Sequence, residues 1–137
     1  MYAIISLGSD NMKVLSIKEP FATLIKDGVK IYETRSWKTN YRGEVYIHAS
    51  ISPSKSENVS SANKYLKSSI NPGHILCKCE LIDCIPMTEE FIKYIKEKTN
   101  ESDYGKYSEG RFAWQLKLLE VLDEPIPAKG KLGIWNY

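Results

Sequence analysis

The residues of this sequence that are best suited to chemistry lie close together after a short glycine turn. Lys30, Glu33 and Arg35 supply an amine, a carboxylate and a guanidinium within a few positions of one another. If this segment is extended, Glu33 and Arg35 point to the same face, because side chains two apart on a strand share a face. The spacing predicts a cluster that could bind an anion or a polar base edge. The alternative is a weakly stabilising ladder of surface ion pairs on an edge strand.

The residues before this cluster predict the elements that would hold it in place. Residues 14–17 form a short apolar run, which is typical of a buried strand. Pro20 suits the first turn of a helix, and the apolar spacing over residues 21–25 gives that helix one apolar face. Gly28 follows where a helix end favours a residue that tolerates positive φ. We therefore predict a strand, a helix, a glycine turn and a second strand, with the cluster opening the second strand.

The segment Gly28–Arg35 resembles the G-x-K-x-x-E-x-R signature of the ASCH family, a branch of the PUA-like β-barrels. The resemblance extends to the strand and helix before this segment and to Gly43–Ser50, Gly73–Cys84 and Gly110–Leu116. It covers nearly the whole chain, from Met12 to Tyr137. It implies an α+β fold, namely a small PUA-like β-barrel of mixed, mostly antiparallel strands with flanking helices.

The composition is that of an ordinary soluble protein. A chain of 137 residues, 42% hydrophobic and 26% charged, predicts one domain with its own core. No apolar run approaches the roughly 18 residues of a membrane span, so we expect no membrane association. We interpret residues 1–11, which lack the features of a secretory signal, as an N-terminal extension or an alternative start. Residues 12–137 form the predicted domain, and three cysteines without a disulfide framework favour the cytoplasm.

Charge is unevenly distributed along the chain, although the formal net charge is only +2. Residues 13–78 carry 11 basic and 5 acidic side chains, whereas residues 79–137 carry 8 and 11. The basic half contains the signature, which is compatible with an anionic ligand at one end of the domain. Chance segregation in a short chain is the alternative.

The resemblance implies a cleft between the barrel and the helices, which in the ASCH family is associated with RNA or with a modified nucleoside. We therefore predict that the partner is single-stranded RNA, a nucleotide or a nucleoside. The residues predicted to bind it are Lys30, Glu33, Arg35, Ser36, Trp37, Tyr41 and Arg42. Arginine offers a planar fork to phosphate or to a base edge, and Trp37, Tyr41 and Trp114 are candidate stacking surfaces for unpaired bases. Trp114 and Trp135 fit a core position better, since both have apolar surroundings.

Hydrolysis is the alternative function, because some ASCH-like proteins resemble ribonucleases or amidohydrolases that remove the acetyl group of N4-acetylcytidine. The amidohydrolase branch uses Lys, Thr and Glu, and Lys30 matches its lysine. Glu33 stands where that branch carries its threonine, so the nucleophile position departs from the pattern. If the protein is an enzyme, we predict that Lys30 and Glu33 are its catalytic acid–base pair. A separate catalytic glutamate has four candidates: Glu89, Glu90, Glu97 and Glu101.

The remaining segments complete the predicted domain. The predicted elements are a surface helix over 56–66, a strand over 74–84, a helix from Thr88 to Lys98, a loop over 99–110, a strand over 111–122 and a loop containing Pro125, Pro127 and Gly130. His48 lies on the more polar face of a predicted strand, where a structural role is the usual one. Cys77 and Cys79 are two apart on a predicted strand, which is not the spacing of a zinc hook, and His74 lies on the opposite face from them. We predict no metal site and no cofactor. A protein-interaction module is a third functional interpretation.

Overall fold

The computed structural model describes residues 12–137, which form a six-stranded mixed sheet flanked by three helices. The strands are β1 (Lys13–Lys18), β2 (Tyr32–Arg35), β3 (Gly43–Ser50), β4 (His74–Pro86), β5 (Phe112–Pro127) and β6 (Ile134–Asn136). The helices are α1 (Phe21–Lys26), α2 (Val59–Asn63) and α3 (Glu89–Lys98), and a 3₁₀ turn spans Glu101–Tyr104. The interpretation of residues 1–11 lies outside the described residues.

The strand order is β2-β5-β4-β3-β1-β6, with β1 and β3 parallel and the other ladders antiparallel. The predicted α+β class and its mostly antiparallel strands are confirmed. Within residues 12–137 no ladder joins the two edge strands, β2 and β6, so the sheet is open and the word barrel describes it only approximately. Register shifts along β4 and β5 bend these two long strands, as bulges do.

The end of helix α1 sets the direction in which the signature leaves it. The N–H of Gly28 donates to the carbonyl of Ile25 at 3.0 Å, and that of Val29 donates to Leu24 at 3.0 Å. Gly28 has a φ of +78°. These two bonds and the left-handed residue form a Schellman motif, so the predicted glycine cap is confirmed. The motif turns the chain back over the helix, and Lys30 enters the protein interior.

Two segments differ from the sequence prediction for identifiable reasons. Strand β5 continues through Pro125 and Pro127, which were expected in a loop. Its register against β4 shifts between Val121 and Ile126, so the residues between them have no partner on β4 and Pro125 breaks no ladder hydrogen bond. Helix α2 is shorter than predicted. Helix α3 begins as predicted, with the Thr88 hydroxyl accepting from the N–H of Phe91.

The core lies between the sheet and helix α1. All five residues of α1 from Phe21 to Ile25 are buried, rather than one face alone. The polar residue Thr23 can be buried because the carboxylate of Glu19 accepts hydrogen bonds from its N–H at 2.8 Å and from its hydroxyl at 2.6 Å. The same carboxylate accepts from the N–H of Asn71 at 2.9 Å and so ties the loop before β4 to the helix. No helix in residues 12–137 has the length and apolar character needed to traverse a bilayer.

We expect Glu19→Ala to lower the free energy of unfolding by about 2–4 kcal/mol, because it leaves the buried donors of Thr23 without an acceptor. Urea unfolding measures this change. Glu97→Ala removes an exposed carboxylate of α3 and serves as the matched control. A loss no larger than that of the control would contradict the structural role of Glu19.

Candidate functional site

A cleft of about 1030 Å³ opens beside the glycine turn, between the ends of β1 and β2 and the loops that follow β3 and β5. Lys30, Glu33 and Arg35 all line it. The structure therefore brings the three charged residues of the signature to one concave surface. Their role in ligand binding remains a prediction.

The lining of the cleft is strongly basic. Its cations are Lys18, Lys30, Arg35, Lys55, Lys106, Arg111, Lys129 and Lys131, and its acidic residues are Glu33 and Glu57. The chain has 19 basic and 17 acidic residues, of which eight basic and two acidic residues line the cleft. The remaining 11 basic and 15 acidic residues lie elsewhere. Four of the eight cations come from the half of the sequence with a negative balance. Folding thus concentrates positive charge far more than the linear distribution indicates.

Arg35 is fixed at the edge of the cleft by contacts on every side of its guanidinium. Its Nε donates to Glu33 Oε2 at 2.8 Å, and its Nη2 donates to the carbonyl of Ser16 at 3.0 Å. The guanidinium carbon lies 5.4 Å and 5.6 Å from the ring centroids of Trp37 and Trp114. The predicted shared face of Glu33 and Arg35 is confirmed by this ion pair. These contacts hold the guanidinium in one orientation, and its role in ligand binding remains a prediction.

Lys30 lies at the floor of the cleft with only 2% of its surface exposed. Its Nζ donates to the carbonyl of Tyr104 at 2.7 Å and lies 5.6 Å and 5.8 Å from the ring centroids of Phe21 and Tyr104. Burial lowers the pKa of Lys30, and the nearby Arg35 acts in the same direction. The negative charges of Glu33 and Glu101 oppose this shift but do not cancel it.

Glu101 is the glutamate that the structure places beside Lys30. Its side chain is buried, and its Oε2 accepts from the N–H of Ile31 at 3.1 Å. Its Oε1 has no hydrogen-bond partner among the described residues. Burial raises the pKa of Glu101, against the effects of Lys30 and of the N–H groups of Ile31 and Tyr32. The other three candidates, Glu89, Glu90 and Glu97, are exposed.

The sequence offered little to separate Glu101 from the other glutamates. It lies in a polar segment that was predicted as a loop, with no periodicity to indicate burial. The 3₁₀ turn Glu101–Tyr104 changes this, because it folds both of its end residues into the interior. The only hint in the sequence was the pair Tyr104 and Tyr107, two aromatic residues in an otherwise polar stretch.

Four predicted ligand-binding residues are not part of the cleft lining: Ser36, Trp37, Tyr41 and Arg42. Trp37 is 50% exposed beside Arg35, so it lies next to the cleft and presents an open aromatic surface. Trp114 is 1% exposed, as its core interpretation predicts, and cannot offer a face to a base. Its indole Nε1 donates to the carbonyl of Trp37 at 3.1 Å.

Tyr41 and Arg42 make contacts within the loop before β3. The Tyr41 hydroxyl donates to the carbonyl of Glu44 at 2.6 Å, and Arg42 Nη1 donates to the carbonyl of Thr39 at 3.0 Å. Arg42 Nη2 also lies 3.7 Å from an oxygen of Asp83. These contacts support a role in shaping the loop, and the ligand-binding role of both residues remains a prediction.

The described part of the chain places no three His, Cys, Asp or Glu side chains where they could jointly hold a metal ion. Cys77 and Cys79 are buried in β4, and Cys84 is partly buried. A hydrogen bond with the Cys79 thiol, together with burial, raises the pKa of Cys77, so this thiol is a poor source of thiolate.

Comparison with known proteins agrees with this architecture. The chain belongs to the ASCH domain family, whose family model matches residues 15–126. It is 29% identical over 139 aligned positions to activating signal cointegrator 1 of Homo sapiens and 28% identical to that of Mus musculus. Each alignment covers 94% of this chain and 23% of the relative. The chain thus spans about a quarter of the length of these curated relatives.

We expect Glu101→Gln to change how stability depends on pH. A raised pKa means that folded Glu101 holds its proton more tightly than the unfolded chain, whose value is near 4.5. Its contribution to stability is therefore complete at low pH and is lost as the pH rises through the folded pKa. Glutamine removes this loss, so the unfolding free energy of the variant should rise relative to that of the parent as the pH increases above 4.5.

Urea unfolding across this pH range measures the difference between the two proteins. Glu97→Gln makes the same chemical change at an exposed position. Parallel pH profiles for the parent and Glu101→Gln would show that Glu101 does not titrate as its burial requires.

Proposed function

We propose that this protein binds RNA, and that the ligand is single-stranded RNA or a modified nucleoside held in the cationic cleft. One observation carries the proposal: eight basic and two acidic residues line a single cavity in a chain whose net charge is only +2. Phosphate groups are the natural counter-charge for such a cleft, because their binding releases condensed counterions. Membership of the ASCH family supports the same class of ligand.

An exposed aromatic surface favours an unpaired base over a double helix. Trp37 presents a half-exposed ring at the edge of the cleft. Phe21 and Tyr104 also border the cleft near the Lys30 amine, but both side chains are buried and offer little ring surface to a base. Single strands are bound by positive grooves in which bases stack on aromatic side chains, whereas the bases of a duplex are already stacked on each other. The cleft volume is also in the upper range for small-ligand sites and is sufficient for a nucleotide.

We expect Lys18→Ala combined with Lys106→Ala to weaken binding of a short fluorescein-labelled single-stranded RNA. Both lysines are exposed residues of the cleft lining. If each neutralises one phosphate, the slope of log affinity against log salt should fall in magnitude by about 1.4. Fluorescence anisotropy at several salt concentrations measures this slope.

The matched control is Lys93→Ala combined with Lys96→Ala. These lysines are exposed on α3 and do not line the cleft, so this variant has the same net charge as the first. Equal losses of slope in both variants would indicate diffuse charge attraction and would contradict binding in the cleft. Failure of the parent to bind at low salt would exclude RNA as the ligand.

Hydrolysis of an acetylated cytidine is a second candidate function, which the environment of Lys30 favours. Burial lowers the pKa of Lys30 and raises that of Glu101, so both groups move towards the range in which acid–base catalysis is efficient. Glu33, the predicted partner of Lys30, instead accepts from Arg35 at 2.8 Å. Glu101 therefore remains as the candidate carboxylate partner of Lys30. The charged groups as a whole form an ion-pair network, which suits binding better than nucleophilic attack.

If the protein is a hydrolase, we expect Lys30→Ala to abolish release of acetate from N4-acetylcytidine. Glu33→Gln and Glu101→Gln then identify the carboxylate partner of Lys30. If one of these variants retains turnover, the glutamate replaced in it is not the catalytic partner. Chromatographic detection of cytidine measures the reaction. Turnover that survives Lys30→Ala would rule out the predicted pair, and no turnover by the parent would leave recognition as the function.

A further inference from the structure

The loop between β5 and β6, residues 128–133, brings two cations to the cleft. Lys129 and Lys131 both belong to the lining, as does Gly130 between them. We call this segment the cationic loop. Both lysines are exposed and lie between the end of β5 and the start of β6, so the ladder hydrogen bonds of the sheet do not fix their position. Other contacts must hold the loop against the cleft.

A buried chain of hydrogen bonds supplies these contacts. Trp135 Nε1 lies 3.0 Å from the hydroxyl of Ser16, which lies 3.0 Å from His48 Nδ1. His48 Nε2 lies 2.7 Å from the carbonyl of Ala128, the first residue of the cationic loop. The N–H of Ala128 donates to the carbonyl of Gly73 at 3.0 Å. Both backbone groups of Ala128, its carbonyl and its N–H, are therefore hydrogen-bonded.

The distances fit an arrangement in which each group of this chain is paired. The indole N–H of Trp135 donates to the Ser16 hydroxyl, the hydroxyl donates to Nδ1 of the Nε2–H tautomer of His48, and the N–H at Nε2 donates to Ala128. His48 is 0% exposed, contrary to its predicted place on a polar face. A buried polar side chain with both ring nitrogens bonded is a rigid support, since breaking either bond leaves an unpaired group in the interior.

Gly130 packs directly on this chain. A Cβ at this position would lie 2.8 Å from the Ser16 hydroxyl and 2.9 Å from His48 Cε1, closer than side-chain carbons approach other atoms. Its φ lies outside the left-handed region, so contact rather than backbone strain accounts for the close fit. Two residues later in the loop the situation is opposite, because Leu132 is 98% exposed.

We propose that Ser16 and His48 are positioning residues for nucleic-acid binding: together with Gly130 they hold the cationic loop so that Lys129 and Lys131 face the cleft. This inference rests on the proposed RNA-binding function and names the residues that position two of the binding cations. The two lysines then meet phosphate without first ordering the loop, which lowers the entropic cost of binding. Lys131 is steadied further by the ring of Trp135, whose centroid lies 5.8 Å from its Nζ.

The test uses Gly130→Ala, which pushes the loop away from its support and leaves every charge in place. We expect this variant to bind a short labelled single-stranded RNA more weakly, with the salt slope reduced by up to about 1.4, as for the loss of two phosphate contacts. In a background that already carries Lys129→Ala and Lys131→Ala, Gly130→Ala should have no further effect on affinity, because the groups it displaces are absent.

Further variants distinguish positioning from general damage. Leu119→Ala removes an exposed apolar side chain of β5 that does not line the cleft, and this variant should bind like the parent. Lys55→Ala removes a cation from the loop after β3, so its effect should add to that of Gly130→Ala. His48→Gln retains an amide that can donate to Ala128 and should restore part of the affinity that His48→Leu loses. Thermal unfolding confirms that each protein is folded at the assay temperature.

Each outcome decides the inference. A loss of affinity from Gly130→Ala that is the same with and without the two lysines would overturn it, and so would unchanged binding in the parent background. If RNA binds and the lysine substitutions weaken it, such results refute the positioning role alone. Absence of salt-dependent RNA binding by the parent would refute the proposed function together with this inference.

Discussion

The hydrogen bond from the Lys30 amine to the carbonyl of Tyr104, at 2.7 Å, joins two segments that are 74 residues apart in the chain. One segment is the glycine turn after α1, and the other is the 3₁₀ turn before β5. The bond from the N–H of Ile31 to Glu101 joins the same two segments. Both donors are buried or partly buried, so neither turn can move away without leaving an unpaired polar group. The floor of the cleft exists because these two turns are held together.

This construction gives the cleft two chemically different zones. The floor contains a buried amine whose pKa is lowered and a buried carboxyl whose pKa is raised, both because burial disfavours the charged form. The rim contains exposed lysines that remain in contact with solvent. The rim is suited to a polyanion, and the floor is suited to a group that forms specific hydrogen bonds. The ligand proposed above, an RNA strand with one base turned inward, would contact both zones, and the two proposed functions, binding and hydrolysis, would use the same cleft.

Several cations at the cleft are held by neighbouring contacts. The lysines of the cationic loop line the cleft, and the first residue and the central glycine of that loop rest on His48 and Ser16. Arg35 is held in a comparable way, between two indole rings and an ion pair. In both cases a cation at the cleft is positioned by contacts that do not themselves require a ligand. The family match over residues 15–126 includes the support residues of β1 and β3 but not the loop lysines.

The local elements around the signature, and the family, could be predicted from the sequence. The apolar run of β1, the spacing in α1 and the glycine at its end are short-range signals, because helix capping and strand burial depend on neighbours within a few residues. The shared face of Glu33 and Arg35 followed from the period of a strand. The folded structure was needed to show that Glu101, among the four candidate glutamates, lies beside Lys30, that Tyr41 and Arg42 lie off the cleft, and that the sheet is open. It also decided that half of the cleft cations come from the more acidic half of the chain, since the position of a charge in space depends on contacts between distant segments, which no local pattern encodes.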